Sequence, residues 1–299
     1  MIQHPHGDGP PGTGWGPLSM PLRRSSMALT KRPKLGQHFL HDVNYRMRII
    51  TELSISKDEV VIEIGPGRGA MTRLLAKHAR TLVAIEVDAV LADRLRQEFA
   101  PDPRVSILYG DVLKVDFAET CRQQGVGHCF VFGNLPYYIT SPILHHLFAQ
   151  RECIRAMGLL VQREVADRLV AYAGSRDNGY LTICTQLYSR PRIALAVPPG
   201  AFSPPPQVHS ALVELQMAPR FPTWGREACD EFLEFVKHCF AQKRKNLVNN
   251  LGGLYTRERV ARALAAAGKP ANVRAEEFSL DALAAVFKSL TGEDEGFRD

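Results

Sequence analysis

The sequence contains no run of about 18 apolar residues, which excludes a helical membrane span. Its first residues lack the charged start, apolar stretch and cleavage site of a signal peptide, so secretion is not expected. Cysteine is sparse and scattered: Cys121, Cys129, Cys153, Cys184, Cys229 and Cys239 form no C-x-x-C pair and have no nearby histidine at ligand spacing. Neither a zinc site nor a disulfide framework is therefore expected, and a cytoplasmic, metal-free protein fits that usage. No internal repeat is visible. Wholesale disorder is excluded by an ordinary balance of 45% hydrophobic and 23% charged residues across 299 positions, enough for one sizeable core and a smaller domain.

The net charge is +6, and it is concentrated. Between Pro21 and Arg48 stand Arg23, Arg24, Lys31, Arg32, Lys34, Arg46 and Arg48 against the single acid Asp42, so the remainder is nearly neutral. A basic segment beside a neutral body points to a polyanion, because Lys and Arg that neutralise phosphates release condensed counterions; the alternative is a solvated basic tail. Residues 1–26 hold ten Gly or Pro and are expected to be a disordered extension.

From about Lys57 a regular rhythm begins. "EVVIEIG", "TLVAIEVD", "RVSILYGD" and "CFVFGN" are short, β-branched apolar runs, and amphipathic stretches such as "AMTRLLAKHA" and "AVLADRLRQEFA" separate the first three. Strands apolar on both faces that alternate with helices predict a parallel sheet covered on both sides, a Rossmann-like α/β domain. Further strands are expected at "AMGLLVQ", "LTICTQLYS" and "SALVELQ", with the helix "REVADRLVA" between the first two. Past "MAPRFPTWG" the pattern is helical throughout, with Thr256 and Ser279 as N-caps. The expected organisation is thus a catalytic domain over 27–218 and a small helical domain over 219–299.

"EIGPGRGAMT" sets Gly65, Gly67 and Gly69 between a strand and a helix, where glycine permits a tight turn and close backbone approach to a ligand. Glu86 ends the next strand 21 residues after Gly65, in position to accept both hydroxyls of a ribose, and Asp111 ends the third on the same edge, in reach of an adenine amine. A nicotinamide dinucleotide and S-adenosylmethionine both suit these parts, and a plain β-α turn would also use such glycines. S-adenosylmethionine fits better, since it carries ribose and adenine without a pyrophosphate and leaves the fourth strand free for chemistry. That strand ends in "FGNLPYYIT". The Asn134 side-chain oxygen and the Leu135 carbonyl could hold the two N–H bonds of a nucleobase amine, whose lone pair is otherwise delocalised into the ring. Pro136 keeps Leu135 extended and aims its carbonyl, while Tyr137 offers a face on which an unstacked base can lie. The plainer alternative has Asn134 capping a turn and Tyr137 in the core.

The motifs "LGQHFLHD", "VIEIGPGRGAMT", "AIEVD", "GNLPYYITSPILHHL", "LVQREVADRLVA", "VPPGAFSPPPQVHSALV" and "QKRKNLVNNL" make the chain resemble the ribosomal RNA adenine dimethyltransferases. That family uses S-adenosylmethionine to dimethylate two adjacent adenosines near the 3′ end of 16S rRNA in the small ribosomal subunit. The resemblance runs from about Lys31 to Leu251 and more loosely beyond. It implies that His38, Leu40, Gly65, Gly67, Glu86, Asp111 and Asn134 contact the cofactor, and that Leu135, Pro136 and Tyr137 form the acceptor pocket with Asn134. Phe202 would be a second aromatic wall, or alternatively a buried loop anchor. Lys243, Arg244 and Lys245 would grip RNA phosphates together with Lys31, Arg32 and Lys34, or else form a solvated helix face. A monomer acting on the small subunit is expected. Two positions depart from the family's usual residues: Tyr138 stands where Asn is frequent, and so does His38. A 23S rRNA methyltransferase of the macrolide-resistance type, a nicotinamide oxidoreductase and an rRNA-binding assembly factor remain as alternatives.

Overall fold

The computed structural model describes residues 38–292. The expected extension over 1–26 and the basic residues Lys31, Arg32 and Lys34 lie outside the described residues. After a two-residue strand β1 (Phe39–Leu40), helix α1 (Val43–Glu52) starts at Asp42, whose carboxylate accepts from the Asn44 and Tyr45 amides at 2.8 and 3.2 Å. The alternation then follows: β2 (Val60–Ile64), α2 (Thr72–His78), β3 (Thr81–Glu86), α3 (Ala89–Phe99), β4 (Val105–Tyr109), α4 (Phe117–Gln123), β5 (Cys129–Asn134), α5 (Thr140–Ala149) and β6 (Ile154–Gln162). The second half comprises α6 (Arg163–Leu169), α7 (Tyr180–Tyr188), β7 (Ser189–Val197), β8 (Phe202–Ser203), β9 (Ser210–Met217) and helices α8 (Arg226–Cys239), α9 (Leu247–Leu251), α10 (Arg257–Ala266) and α11 (Leu280–Thr291).

Seven strands form one sheet in the order β4-β3-β2-β5-β6-β9-β7. Pairs from β4 through β6 are parallel, and β9 runs antiparallel to both its neighbours. The strand order reverses direction at β2, whose neighbours are β3 on one side and β5 on the other; ligands of open α/β sheets bind at the carboxyl ends beside such a switch point. Successive side chains of a strand face opposite ways, so β2 feeds two cores. Val60, Ile62 and Ile64 join one with α4, α5, α7 and the helices α8 to α11. Val61 joins the other with α1, α2 and Phe130, Phe132 and Phe202. The described residues all fall within a single compact unit.

One expected element differs. "LTICTQLYS" is not a strand but helix α7, and the strand is the next segment, β7. The β-branched residues are accommodated because the helix is enclosed by the core and its hydroxyls bond backward along it: Thr185 Oγ1 to the Leu181 carbonyl at 2.7 Å and Ser189 Oγ to the Thr185 carbonyl at 2.8 Å. Burial outweighs the strand preference of Thr and Ile. Thr256 and Ser279 do cap α10 and α11, accepting from the Arg259 and Ala282 amides.

Candidate active site

Strand β2 is buried on both faces, and the turn from it into α2 has a backbone that most side chains disfavour. Gly65, Gly67 and Gly69 take φ of +66°, +56° and +77°. A Cβ on Gly67 would stand 2.8 Å from Phe39 Cε1, whereas one on Gly65 would meet nothing within 4 Å, so the turn is packed at Gly67 and open toward the cleft at Gly65. Across this turn lies Glu86 at the end of β3, only 2% exposed. The Gly67 amide donates to its Oε2 and the Asp88 amide to its Oε1, both at 2.9 Å. Two backbone donors fix the carboxylate, and each oxygen keeps a lone pair for a diol.

Strand β5 brings Asn134 to the same edge. Its Nδ2 donates to the His38 carbonyl at 3.0 Å, which fixes the amide's orientation, and its Oδ1 accepts no hydrogen bond among the described residues. The Leu135 amide donates to the Leu160 carbonyl at 3.0 Å, while the Leu135 carbonyl is likewise unengaged among the described residues. Pro136 (φ −60°, ψ 132°) leads into a single 3-10 turn, Tyr137–Ile139, closed by Ile139 amide and Thr140 hydroxyl bonds to the Pro136 carbonyl. The Tyr137 hydroxyl is paired with Ser210 Oγ at 3.0 Å, and the His38 ring stacks on the Tyr137 ring with centroids 5.4 Å apart. Burial pushes the Tyr137 phenol above its ordinary value, against a smaller lowering by Ser210, so it stays neutral.

His38, Gly65, Gly67, Glu86, Asn134, Leu135, Pro136 and Tyr137 thus line one cleft at the switch point. Leu40 lines an adjoining hollow with Gly65 and Asn134. Asp111 stands farther along the edge, beyond β4, and its Oδ1 accepts from the Leu113 amide at 3.0 Å to start a 3-10 turn; it is not on the cleft wall. Phe202 is 2% exposed and belongs to the core: β8 pairs with β1, setting Phe202 opposite Leu40, and its ring presents no face to the cleft. Lys243, Arg244 and Lys245 are exposed in the turn between α8 and α9, with Lys243 Nζ donating to the Arg176 carbonyl at 2.6 Å.

Glu63 was not anticipated. It lies in β2, 2% exposed, on the wall of the hollow that also holds Gly65 and Asn134, and its Oε2 is buried without a hydrogen-bond partner. Burial raises its pKa to about 8; Thr72 lowers it somewhat and the charge of Glu86 raises it further. The sequence signal was a lone acid inside the apolar run "VVIEI".

These residues fit S-adenosylmethionine. The fixed Glu86 carboxylate suits a ribose, the open face at Gly65 admits a chain close to the backbone, and the orphaned Glu63 oxygen matches an amino-acid ammonium. A doubly wound sheet with this switch point, and with an antiparallel strand inserted beside its last strand, is the build of the Rossmann-like methyltransferases. The chain belongs more narrowly to the family described as ribosomal RNA adenine dimethylase, whose model matches residues 28–291. It is 45% identical over 280 residues to the ribosomal RNA small subunit methyltransferase A of Acidobacterium capsulatum, covering 93% of this chain and 98% of that one. The crystal structure of a dimethyladenosine transferase from Plasmodium falciparum has the same fold, with a TM-score of 0.70 at 21% identity over 85% of this chain and 98% of that one. That of the 23S rRNA methyltransferase ErmE gives a TM-score of 0.67 at 26% identity over 85% and 99%.

Proposed function

We propose that this chain transfers methyl groups from S-adenosylmethionine to the exocyclic amines of two adjacent adenosines near the 3′ end of 16S rRNA, within the small ribosomal subunit, as a step in its maturation. The observation that carries the chemistry is the pair of unengaged acceptors, Asn134 Oδ1 and the Leu135 carbonyl, beside a fixed carboxylate at the switch point. The likeness to small-subunit methyltransferases supports the choice of subunit.

S-adenosylmethionine supplies an electrophilic methyl on a sulfonium, whose sulfur keeps the electron pair of the broken S–C bond. Glu86 accepts the ribose hydroxyls, Asp111 the adenine amine, Glu63 and Gly65 the methionine portion, with His38 and Leu40 closing over them. Asn134 Oδ1 and the Leu135 carbonyl accept the two N–H bonds of the target amine, drawing its lone pair out of conjugation toward the methyl. Once methylated, the cationic amine is acidic enough to lose its proton to water, so no strong base is required. Tyr137 stacks the flipped base, and Phe202 braces the corner as its second aromatic group. Residues 27–218 form the catalytic domain and 219–299 the rRNA-contacting domain, with Lys31, Arg32, Lys34, Lys243, Arg244 and Lys245 on phosphates. The enzyme works as a monomer in the cytoplasm; among the described residues no helix is long and apolar enough to cross a membrane.

Incubating the full chain with labelled S-adenosylmethionine and under-methylated small subunits, then mapping the modified bases, tests this reading. Label on two adjacent adenosines near the 3′ end of 16S rRNA is expected. Label only in large-subunit RNA overturns the substrate assignment.

A further inference from the structure

Tyr138 has no place in the chemistry above, yet its surroundings single it out. Its ring is 60% exposed and lies on the wall of the same cleft as Asn134 and Tyr137. Exposed tyrosines are common, and exposure alone would mean little. Here the backbone beneath the ring is clamped: Pro136 stiffens the entry, and its carbonyl accepts from both the Ile139 amide at 3.2 Å and the Thr140 hydroxyl at 3.0 Å. The other aromatic rings of the corner are already engaged. Tyr137 is pinned by Ser210 and stacked by His38, and Phe202 is enclosed in the core. Tyr138 makes no side-chain hydrogen bond and no ring contact among the described residues.

A rigidly mounted aromatic face at the mouth of a base-sized slot suits another base, because every nucleobase has a π-face and stacking tolerates any sequence. We propose that Tyr138 is the stacking platform for the nucleotide adjacent to the target adenosine. The inference rests on the reading that the substrate is a pair of adjacent adenosines. While one base occupies the Asn134 slot, its neighbour lies on Tyr138 outside it, and the two exchange places between rounds of transfer. Tyr138 is in this sense a substrate-positioning residue, with no part in the transfer itself.

The test compares wild type with Tyr138→Ala, Tyr138→Phe and Tyr138→Asn on under-methylated small subunits, with S-adenosylmethionine affinity and melting temperature measured on the same preparations. Losing one stacked base corresponds to a fivefold to roughly hundredfold weakening. We expect Tyr138→Ala and Tyr138→Asn to raise KM for the subunit by about tenfold, with kcat within about twofold and cofactor affinity and melting temperature unchanged. Tyr138→Phe, which keeps the ring and loses only the hydroxyl, restores KM. The inference is overturned if Tyr138→Ala keeps the wild-type KM, if Tyr138→Phe is as impaired as Tyr138→Ala, or if Tyr138→Ala weakens cofactor binding as much as it raises KM for the subunit. A wild-type chain that leaves small subunits unmethylated refutes the functional reading itself, and this inference with it.

Discussion

Replacing Asn134 with alanine removes one of two acceptors held where a transferring amine needs them. The side chain makes two separable contributions. Its Nδ2 bond to the His38 carbonyl, at 3.0 Å, contributes about 0.5–1.5 kcal/mol to stability, so the variant should melt only a few degrees lower. Its Oδ1 is the larger matter. Removing one preorganised group from the point where charge develops in a transition state typically lowers kcat by about 10²–10³, or roughly 2.7–4 kcal/mol, and the Leu135 carbonyl alone cannot hold both N–H bonds. The ribose carboxylate and glycine turn are untouched, so affinity for S-adenosylmethionine should change by less than about tenfold, a modest effect beside the loss of rate. Single-turnover transfer of labelled methyl to under-methylated small subunits, alongside equilibrium cofactor binding, separates the two. Asn134→Asp keeps an acceptor while losing the donor to His38, so it should retain more transfer than Asn134→Ala. Near-wild-type transfer by Asn134→Ala would refute the proposed corner.

Other perturbations address the cofactor side and the RNA side. In the folded chain Glu63 holds its proton up to about pH 8, against an ordinary value of 4.5, so folding takes up a proton between those limits and stability falls as pH rises through them. At about 1.4 kcal/mol per unit the loss reaches about 5 kcal/mol by pH 8, and Glu63→Gln should flatten that part of the melting-temperature profile; an unchanged slope would clear Glu63 as its cause. Gly67→Ala puts a Cβ 2.8 Å from Phe39 Cε1 at a φ of +56°, so a destabilisation of about 1–3 kcal/mol is expected by denaturant unfolding, with weakened cofactor binding. Unaltered stability would mean that the turn relaxes freely. Replacing Lys243, Arg244 and Lys245 together by alanine should weaken subunit binding and reduce the slope of log K against log salt by about two to three, while cofactor affinity holds. An unchanged slope would leave that turn out of the RNA contact.

The parallel sheet was legible because its central strands β2, β3 and β5 are buried on both faces, so each reads as a short apolar run. The antiparallel end of the sheet was harder. "LTICTQLYS" carries strand-forming residues, but its hydroxyls can satisfy themselves along a helix, and only packing against neighbouring elements decides between the two. Helix α1 went unread for a different reason. Arg46 and Arg48 put it inside the basic segment, although Asp42 ahead of it is an ordinary N-cap.

Within the site, the residues that sequence could nominate are those at strand ends, since a strand's last residue must lie at the sheet edge whatever the rest of the chain does. Glu86 and Asn134 are of this kind, Gly65 directly follows the last residue of β2, and the three strands bring them to one cleft. What spacing alone cannot supply is the side to which a distant segment is bound. Strand β1 pairs with β8, far along the chain, setting Leu40 against Phe202 and holding both in the core. That same pairing brings His38 over the acceptor corner, where its carbonyl orients Asn134, its ring covers Tyr137 and its Nδ1 meets the Pro204 carbonyl at 2.8 Å. The upstream motif therefore acts on the cleft through a two-residue strap. That strap encloses Phe202 in the core and sets His38 on one face of Tyr137, and the ring of the cleft that it leaves untouched is Tyr138.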